Sequence, residues 1–218
     1  MKDCSAKVSL KNGGKHMDEK VHVFERTLRT YQERLMAMPW DRLKSSRFFN
    51  VSGKSLSMPF FNEIFHVSEK GILSQGGHHA SFDVSVVIYN FLLMFQDDMA
   101  EGQDWVAYRD IKDSGPLSVY FADNVENKIA GAFKKKGTTI MNACLAMGGY
   151  KPSSHLSYDV VMAFDALPSV RLLLLFNQED EDFPTSCKVL FSQGVDQYLD
   201  PESLAIFAAI FASRLCKS

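Results

Sequence analysis

The chain has 218 residues, of which 46% are hydrophobic, 23% charged and 12% aromatic, with a formal net charge of -2. This composition has neither the high net charge nor the low apolar content of a disordered chain, and a single core in a chain this long buries roughly 70% of the unfolded surface. The charge balance also excludes the broad basic face that phosphate backbones require, so no nucleic-acid partner is expected.

No run of about 18 apolar residues and no signal-peptide core are present, which predicts a chain that makes no membrane contact. Cys4, Cys144, Cys187 and Cys216 are scattered without C-x-x-C spacing. That argues against a zinc or iron–sulfur site and against a disulfide scaffold, and it points to a reduced, cytoplasmic protein.

Residues 1–17 are polar and glycine-bearing with nothing periodic to bury, and read as a disordered tail; residues 18–218 read as one globular domain. Phe24, Leu28, Tyr31, Leu35 and Met38 recur at spacings of four and three, which predicts an amphipathic helix over 20–38 that Pro39 helps to end. Leu56, Met58 and Phe60 then alternate as in a strand, and Glu69-Lys70-Gly71 places a turn within a hairpin over 65–74.

Ser81 is an N-cap candidate ahead of Val84, Val87, Ile88, Phe91, Leu92 and Phe95, a helix apolar on most sides and so central. Leu117, Phe121, Ile129 and Phe133 predict another helix, bent near Asp123-Asn124. Ile140, Ala143, Leu145 and Met147 predict a further one closed by Gly148-Gly149.

Strands are expected over 158–166 and 170–177, and the unbroken Leu172 to Phe176 run is the pattern of a strand buried on both faces. Asp200-Pro201-Glu202 supplies N-cap, first-turn proline and first-turn acid for the last helix. Without a regular βαβ alternation, the expected class is α+β: one domain with a mixed or antiparallel sheet covered by helices.

The motifs that suggest chemistry are weak. Gly53-Lys54-Ser55 lacks the glycine that a phosphate loop needs five residues earlier, where Phe48 stands. His78-His79 are adjacent, so in an extended segment they face opposite ways and rarely share an ion. Glu179-Asp180-Glu181-Asp182 has neither the alternate spacing nor the glycine of a calcium loop, and reads as a solvated turn. Lys134-Lys135-Lys136 reads as a solvated helix end. No metal site and no cofactor are assigned.

Trp105, Tyr108 and Arg109 are the ligand-binding candidates, because aromatics beside an arginine can stack on a planar ligand or clamp a carboxylate. Ordinary packing of Trp and Tyr at a core edge is the competing explanation.

Several spaced patterns line up in order over about residues 20–215: Trp105-x-x-Tyr108-Arg109-Asp110, Tyr120-Phe121-x-x-Asn124-x-Glu126, Gly148-Gly149, Phe164-x-Ala166-Leu167-Pro168, Asp182-Phe183-Pro184 and Tyr198-Leu199. Together they resemble a domain-of-unknown-function family of about 200 residues from anaerobic bacteria and archaea, with no established activity. The resemblance implies a setting of corrinoid or one-carbon metabolism, in which some relatives carry a cysteine-rich iron–sulfur segment that this chain lacks.

The first expectation is therefore a non-catalytic accessory domain that binds a small-molecule ligand or cofactor. An enzyme whose carboxylates and histidines, such as Asp165, Asp182 and His66, are gathered by folding is the second. A module that binds a partner protein through the 20–38 helix is the third.

Overall fold

Alternating apolar residues in the first half of the chain build a meander. β1 (Asn50–Ser52), β2 (Ser55–Phe60), β3 (Glu63–Ser68) and β4 (Gly71–Ser74) pair antiparallel in that order. Leu56, Met58 and Phe60 of β2 and Phe65 and Val67 of β3 form its buried face, as the two-residue period requires. The computed structural model describes residues 12–96, 104–134, 137–153 and 156–218.

The β1–β2 loop is Gly53-Lys54, with φ +61° at Gly53, the conformation that the first position of a type II′ turn requires. Gly53-Lys54-Ser55 is thus hairpin chemistry. The β2–β3 loop, Phe61-Asn62, has φ +55° at Phe61, an unusual place for a bulky residue. The Phe61 ring stacks on Phe207 and Phe211, at 5.3 and 5.8 Å, and its N–H donates to the carbonyl of Ala166. Packing and one hydrogen bond to the second sheet hold it there.

The second sheet is also antiparallel, in the order β5-β8-β7-β6, from β5 (Trp105–Ala107), β6 (Val160–Leu167), β7 (Val170–Asn177) and β8 (Ser186–Ser192). The leucine run does bury both faces. Leu172, Leu174 and Phe176 join the main core, whereas Leu173 and Leu175 form a small cluster with Ala163 on the other face, beside Trp105, Val161 and Leu190. The expected sheet is therefore two antiparallel sheets in one α+β domain, and the strands at 50–52, 105–107 and 186–192 were not foreseen.

Helices pack against both sheets. α3 (Phe82–Met94) starts at Ser81, whose hydroxyl accepts from the N–H of Val84. α7 (Pro201–Leu215) starts at Asp200, whose carboxylate accepts from the N–H of Ser203 at 2.7 Å. It lies between the sheets, with Phe207 against Phe60 and Phe211 against Phe164.

α6 (Gly137–Ala146) ends in a Schellman motif. Gly148, at φ +80°, donates to Leu145, and Gly149 donates to Cys144. The expected apolar face of this helix needs one correction. Leu145 points outward, and Ile140, Ala143, Cys144 and Met147 face the core.

The helix expected to bend near Asp123-Asn124 is α4 (Ser118–Phe121), a π-helical turn (Ala122–Glu126) and α5 (Asn127–Ala132) in succession. A π turn inserts one residue into the helical ladder and so rotates the turns on its C-terminal side.

α1 runs Asn12–Ala37, so it begins inside the stretch expected to be a tail; residues 1–11 lie outside the described ones. Burial along it is graded: Leu35 is enclosed, Leu28 and Tyr31 are partly covered, Phe24 stacks on Phe82 at 4.3 Å with its other side open, and Val23 is 56% exposed. Short α2 (Asp41–Ser45) leads into β1. Among the described residues, no helix is long and apolar enough to cross a membrane.

Candidate functional site

The three residues singled out as a ligand site do not form one cluster. Trp105 lies on the outer face of the second sheet, with the Arg171 guanidinium 5.4 Å over its ring. Trp105 pairs with Ser192, and Arg171 with Asp165, so these four residues form one row across the sheet; the Ser192 hydroxyl accepts from the N–H of Arg171. The arginine that stacks on Trp105 is therefore Arg171, two strands across in the sheet.

Tyr108 points inward. Its ring lies flat on Phe121, 4.3 Å between centroids and 2° between planes, and its hydroxyl donates to the carbonyl of Pro201 at 2.8 Å. Burial, with Asp200 and Glu202 nearby, pushes this phenol up to about 12. Arg109 points outward, with 78% of its side chain exposed and Asp110 at 3.7 Å.

The reason for this divergence is local. β5 stops at Ala107, and residues 108–110 turn into a 3-10 helix, which sends consecutive side chains in different directions.

Tyr108 and Arg109 nevertheless line one wall of a cleft of about 420 Å³. Its floor is the outer face of the second sheet, through Leu175 and Leu190. Its other walls are Phe121, Ala122 and Glu126 from the helical segment with the π turn, and Tyr158 from the approach to β6. Lys188, at an outward position of β8, closes the rim.

Glu126 is the anchor of this site. It is only 13% exposed; one oxygen pairs with Lys188 Nζ at 2.7 Å, and the other accepts from the N–H of Val189. β5 covers β8 only from Leu190 to Ser192, so this carboxylate takes up a backbone donor on the part of β8 that β5 leaves uncovered. The π turn places Glu126 there. The cleft thus has largely apolar walls and two cations at its rim, each beside a carboxylate: Lys188 against Glu126 and Arg109 against Asp110.

Tyr120, Asn124 and Lys128 of the same helical segment, four residues apart, line a second cleft of about 410 Å³ over Ile206 and Ile210. Its arginine is committed elsewhere: Arg214 donates to Glu63 at 3.2 Å and lies 5.1 Å over the Phe60 ring. Its lysine, Lys128, shares the cleft with the carboxylate of Asp83.

The other candidates are dispersed. His66, on β3, shares a 2.8 Å hydrogen bond with the Ser57 hydroxyl on an exposed face; Asp165, on β6, accepts from the Tyr150 hydroxyl; Asp182 sits in the loop after β7. No hydrogen bond joins these three, which lie on separate elements.

His78 and His79 are exposed in the turn after β4, and His155 lies outside the described residues. Among the described residues, no group of three His, Cys, Asp or Glu side chains is placed to hold a metal. Asp180 accepts from the N–H groups of Asp182 and Phe183, so the acidic run forms a turn closed by its own carboxylate. Lys134 pairs with Glu179 across to that turn; Lys135, Lys136, Asp97 and Asp98 lie outside the described residues.

Cys144 and Cys187 are buried thiols. Burial pushes Cys144 up to about 12; it also raises Cys187 well above its ordinary value, aided by the Glu126 carboxylate. Neither is a thiolate near neutral pH.

Sequence reasoning missed Lys188, Glu126, Tyr158 and Arg171. The first three have no local signal: a single lysine at an outward strand position looks solvated, and the π turn that aims Glu126 depends on tertiary packing. Arg171 did carry one, as the only charge in the strand that begins at Val170.

Neither the curated proteins nor the solved structures include a match to this chain. A family model does match, over residues 45–214, from β1 and the segment before it through almost all of α7. It spans both sheets, the π turn and every residue of the cleft, and the chain belongs to the family it defines, the domain of unknown function DUF3786.

Proposed function

We propose that the domain is a non-catalytic cytoplasmic accessory module that binds a small anionic molecule, or the anionic part of a cofactor, in the cleft between the π turn and the second sheet. The observation that carries this is the pairing of Arg109 and Lys188 at the rim with the apolar walls of Leu175, Leu190 and Phe121. Ligand pockets typically combine apolar walls with a few polar groups that fix orientation, and about 420 Å³ lies within their usual range.

That volume suits a single ring system or a short chain rather than a macrocycle. A link to corrinoid or one-carbon metabolism would then run through a fragment of such a cofactor or through a partner that carries it. Nucleic acid is not a partner in this reading, since the net charge of -2 gives no basic face.

The test is a thermal-shift screen with corrinoids, flavins, nucleotides and acyl-CoA compounds, followed by calorimetry on each compound found. Arg109→Ala and Lys188→Ala should each weaken binding about tenfold or more, the worth of one charge-assisted hydrogen bond. A screen without a reproducible shift, or an affinity indifferent to both substitutions, would reject the reading.

A second reading, partner binding through α1, is favoured by one observation: Val23 is 56% exposed and Phe24, although its ring stacks on Phe82 at 4.3 Å, is still 45% exposed. Val23→Ser with Phe24→Ser should abolish capture of that partner while leaving ligand binding unchanged.

A further inference from the structure

The cleft does not end at Tyr158. The same side chain lines a second cleft, of about 490 Å³, bounded by Asp159, Asn177, Asp180, Phe183 and Ser186. The strand register gives the order of the two. Lys188 pairs with Leu175 and Ser186 with Asn177, so the floor continues along the outer faces of β7 and β8 from one cleft into the other. Adjacent levels on one face are two residues apart, about 7 Å.

The two lobes differ in charge. The first holds two cations, with the carboxylate of Glu126 paired to Lys188 and that of Asp110 3.7 Å from Arg109, whereas the second is lined, among the described residues, by carboxylates and by no cation. Arg109 and Lys188 mark the first; Asp159 and Asp180 mark the second, each with one carboxylate oxygen accepting backbone N–H groups and the other uncommitted among the described residues. Glu179, beside them, is held by Lys134. Between and beside the charges stand two aromatic side chains, Tyr158 and Phe183, the latter 70% exposed.

We propose that the two lobes form one charge-polarised groove whose ligand is a short extended peptide, its anionic end on Arg109 and Lys188 and its cationic end on Asp159 and Asp180. The argument is charge complementarity: an anion alone would occupy the first lobe and leave the second unused. A peptide with an aromatic residue between its charged ends meets Tyr158 and Phe183 as well. This rests on the ligand-binding reading above and names the class of ligand for that site.

Two tripeptides of equal composition and net charge separate this inference from general charge attraction. In Lys-Tyr-Glu the termini reinforce the side-chain charges, cationic at one end and anionic at the other. In Glu-Tyr-Lys each terminus opposes the neighbouring side chain. Phenyl phosphate, which reaches only the first lobe, is the third probe.

By calorimetry on the full chain, Lys-Tyr-Glu should bind at least tenfold tighter than Glu-Tyr-Lys. Asp159→Asn with Asp180→Asn keeps the acceptors of the local turns; it should remove that preference and leave phenyl phosphate binding unchanged. If the double variant melts early, each single substitution should remove part of the preference. Equal affinity for the two tripeptides, or a preference untouched by the Asn variants, overturns the inference while phenyl phosphate binding upholds the underlying reading. Failure of all three probes to bind overturns both.

Discussion

Lys54 lies over the Trp40 ring at 5.5 Å while its ammonium donates to the carbonyls of Met36 and Met38, at 2.8 and 2.9 Å. The β1–β2 turn thus closes the C-terminal end of α1, where carbonyls have no partner within the helix. Lys54→Met keeps the stem against Trp40 and removes both charge-assisted bonds. It should lower stability by about 1 kcal/mol, seen as a lower urea midpoint with unchanged slope.

Phe61 carries a left-handed backbone and a buried ring at once, and the two can be separated by substitution. Phe61→Ala removes the ring and keeps the strain, and should cost about 3 kcal/mol or more. Phe61→Gly removes the ring as well but frees the backbone, and should be the more stable of the two by up to about 1 kcal/mol. Ordinary side-chain size would give the reverse order, so chemical denaturation of the pair decides.

Tyr89, Tyr108 and Cys144 are each pushed up to about 12, from ordinary values of 10.0 for the phenols and 9.0 for the thiol. In each case burial disfavours the anion. A group with its folded value raised contributes stability that is full below its unfolded value and lost as pH rises towards the folded one. These groups should therefore give the urea midpoint no pH dependence between pH 7 and about 9, where their contribution is full, and make it fall from there towards pH 12. Tyr89→Phe should flatten part of that fall.

Gly149 and Gly131 should respond oppositely to alanine. A Cβ at Gly149 would meet the Phe164 ring at 2.7 Å and the Cys144 carbonyl at 2.8 Å, so Gly149→Ala should cost about 2 kcal/mol. Nothing lies within 4 Å of a Cβ at Gly131, inside α5. Gly131→Ala should stabilise by about 0.5–1 kcal/mol, and melting curves of the two variants should shift in opposite directions.

Much of the fold could be read from local chemistry. Ser81 and Asp200 cap their helices, Gly148-Gly149 ends α6, and the leucines of β7 are buried on both faces, because caps, turns and periodicity act over a few residues. β5 was not legible as a strand, since three residues give no period and Trp105–Ala107 is a strand only because β8 lies beside it. The bend near Asp123-Asn124 was visible, but its π character was not.

The site was legible only in part. Tyr108 and Arg109 do border a cleft, yet Arg171 is the cation on Trp105, and Lys188 comes from the other end of the chain. Pairings across a sheet are set by register, and register between distant segments leaves no mark in either one.

The two sheets also differ in how far the chain must travel to make them. β1 to β4 pair with immediate neighbours within residues 50–74, whereas Trp105 waits for Ser192. Loop closure makes distant pairings slow, so the meander can form early, and β5 can dock only once β8 has been made. The groove shaped by β5, the π turn and β8 is then completed in the last stage of folding. During synthesis the chain would carry a formed first sheet while the cleft beside β8 does not yet exist.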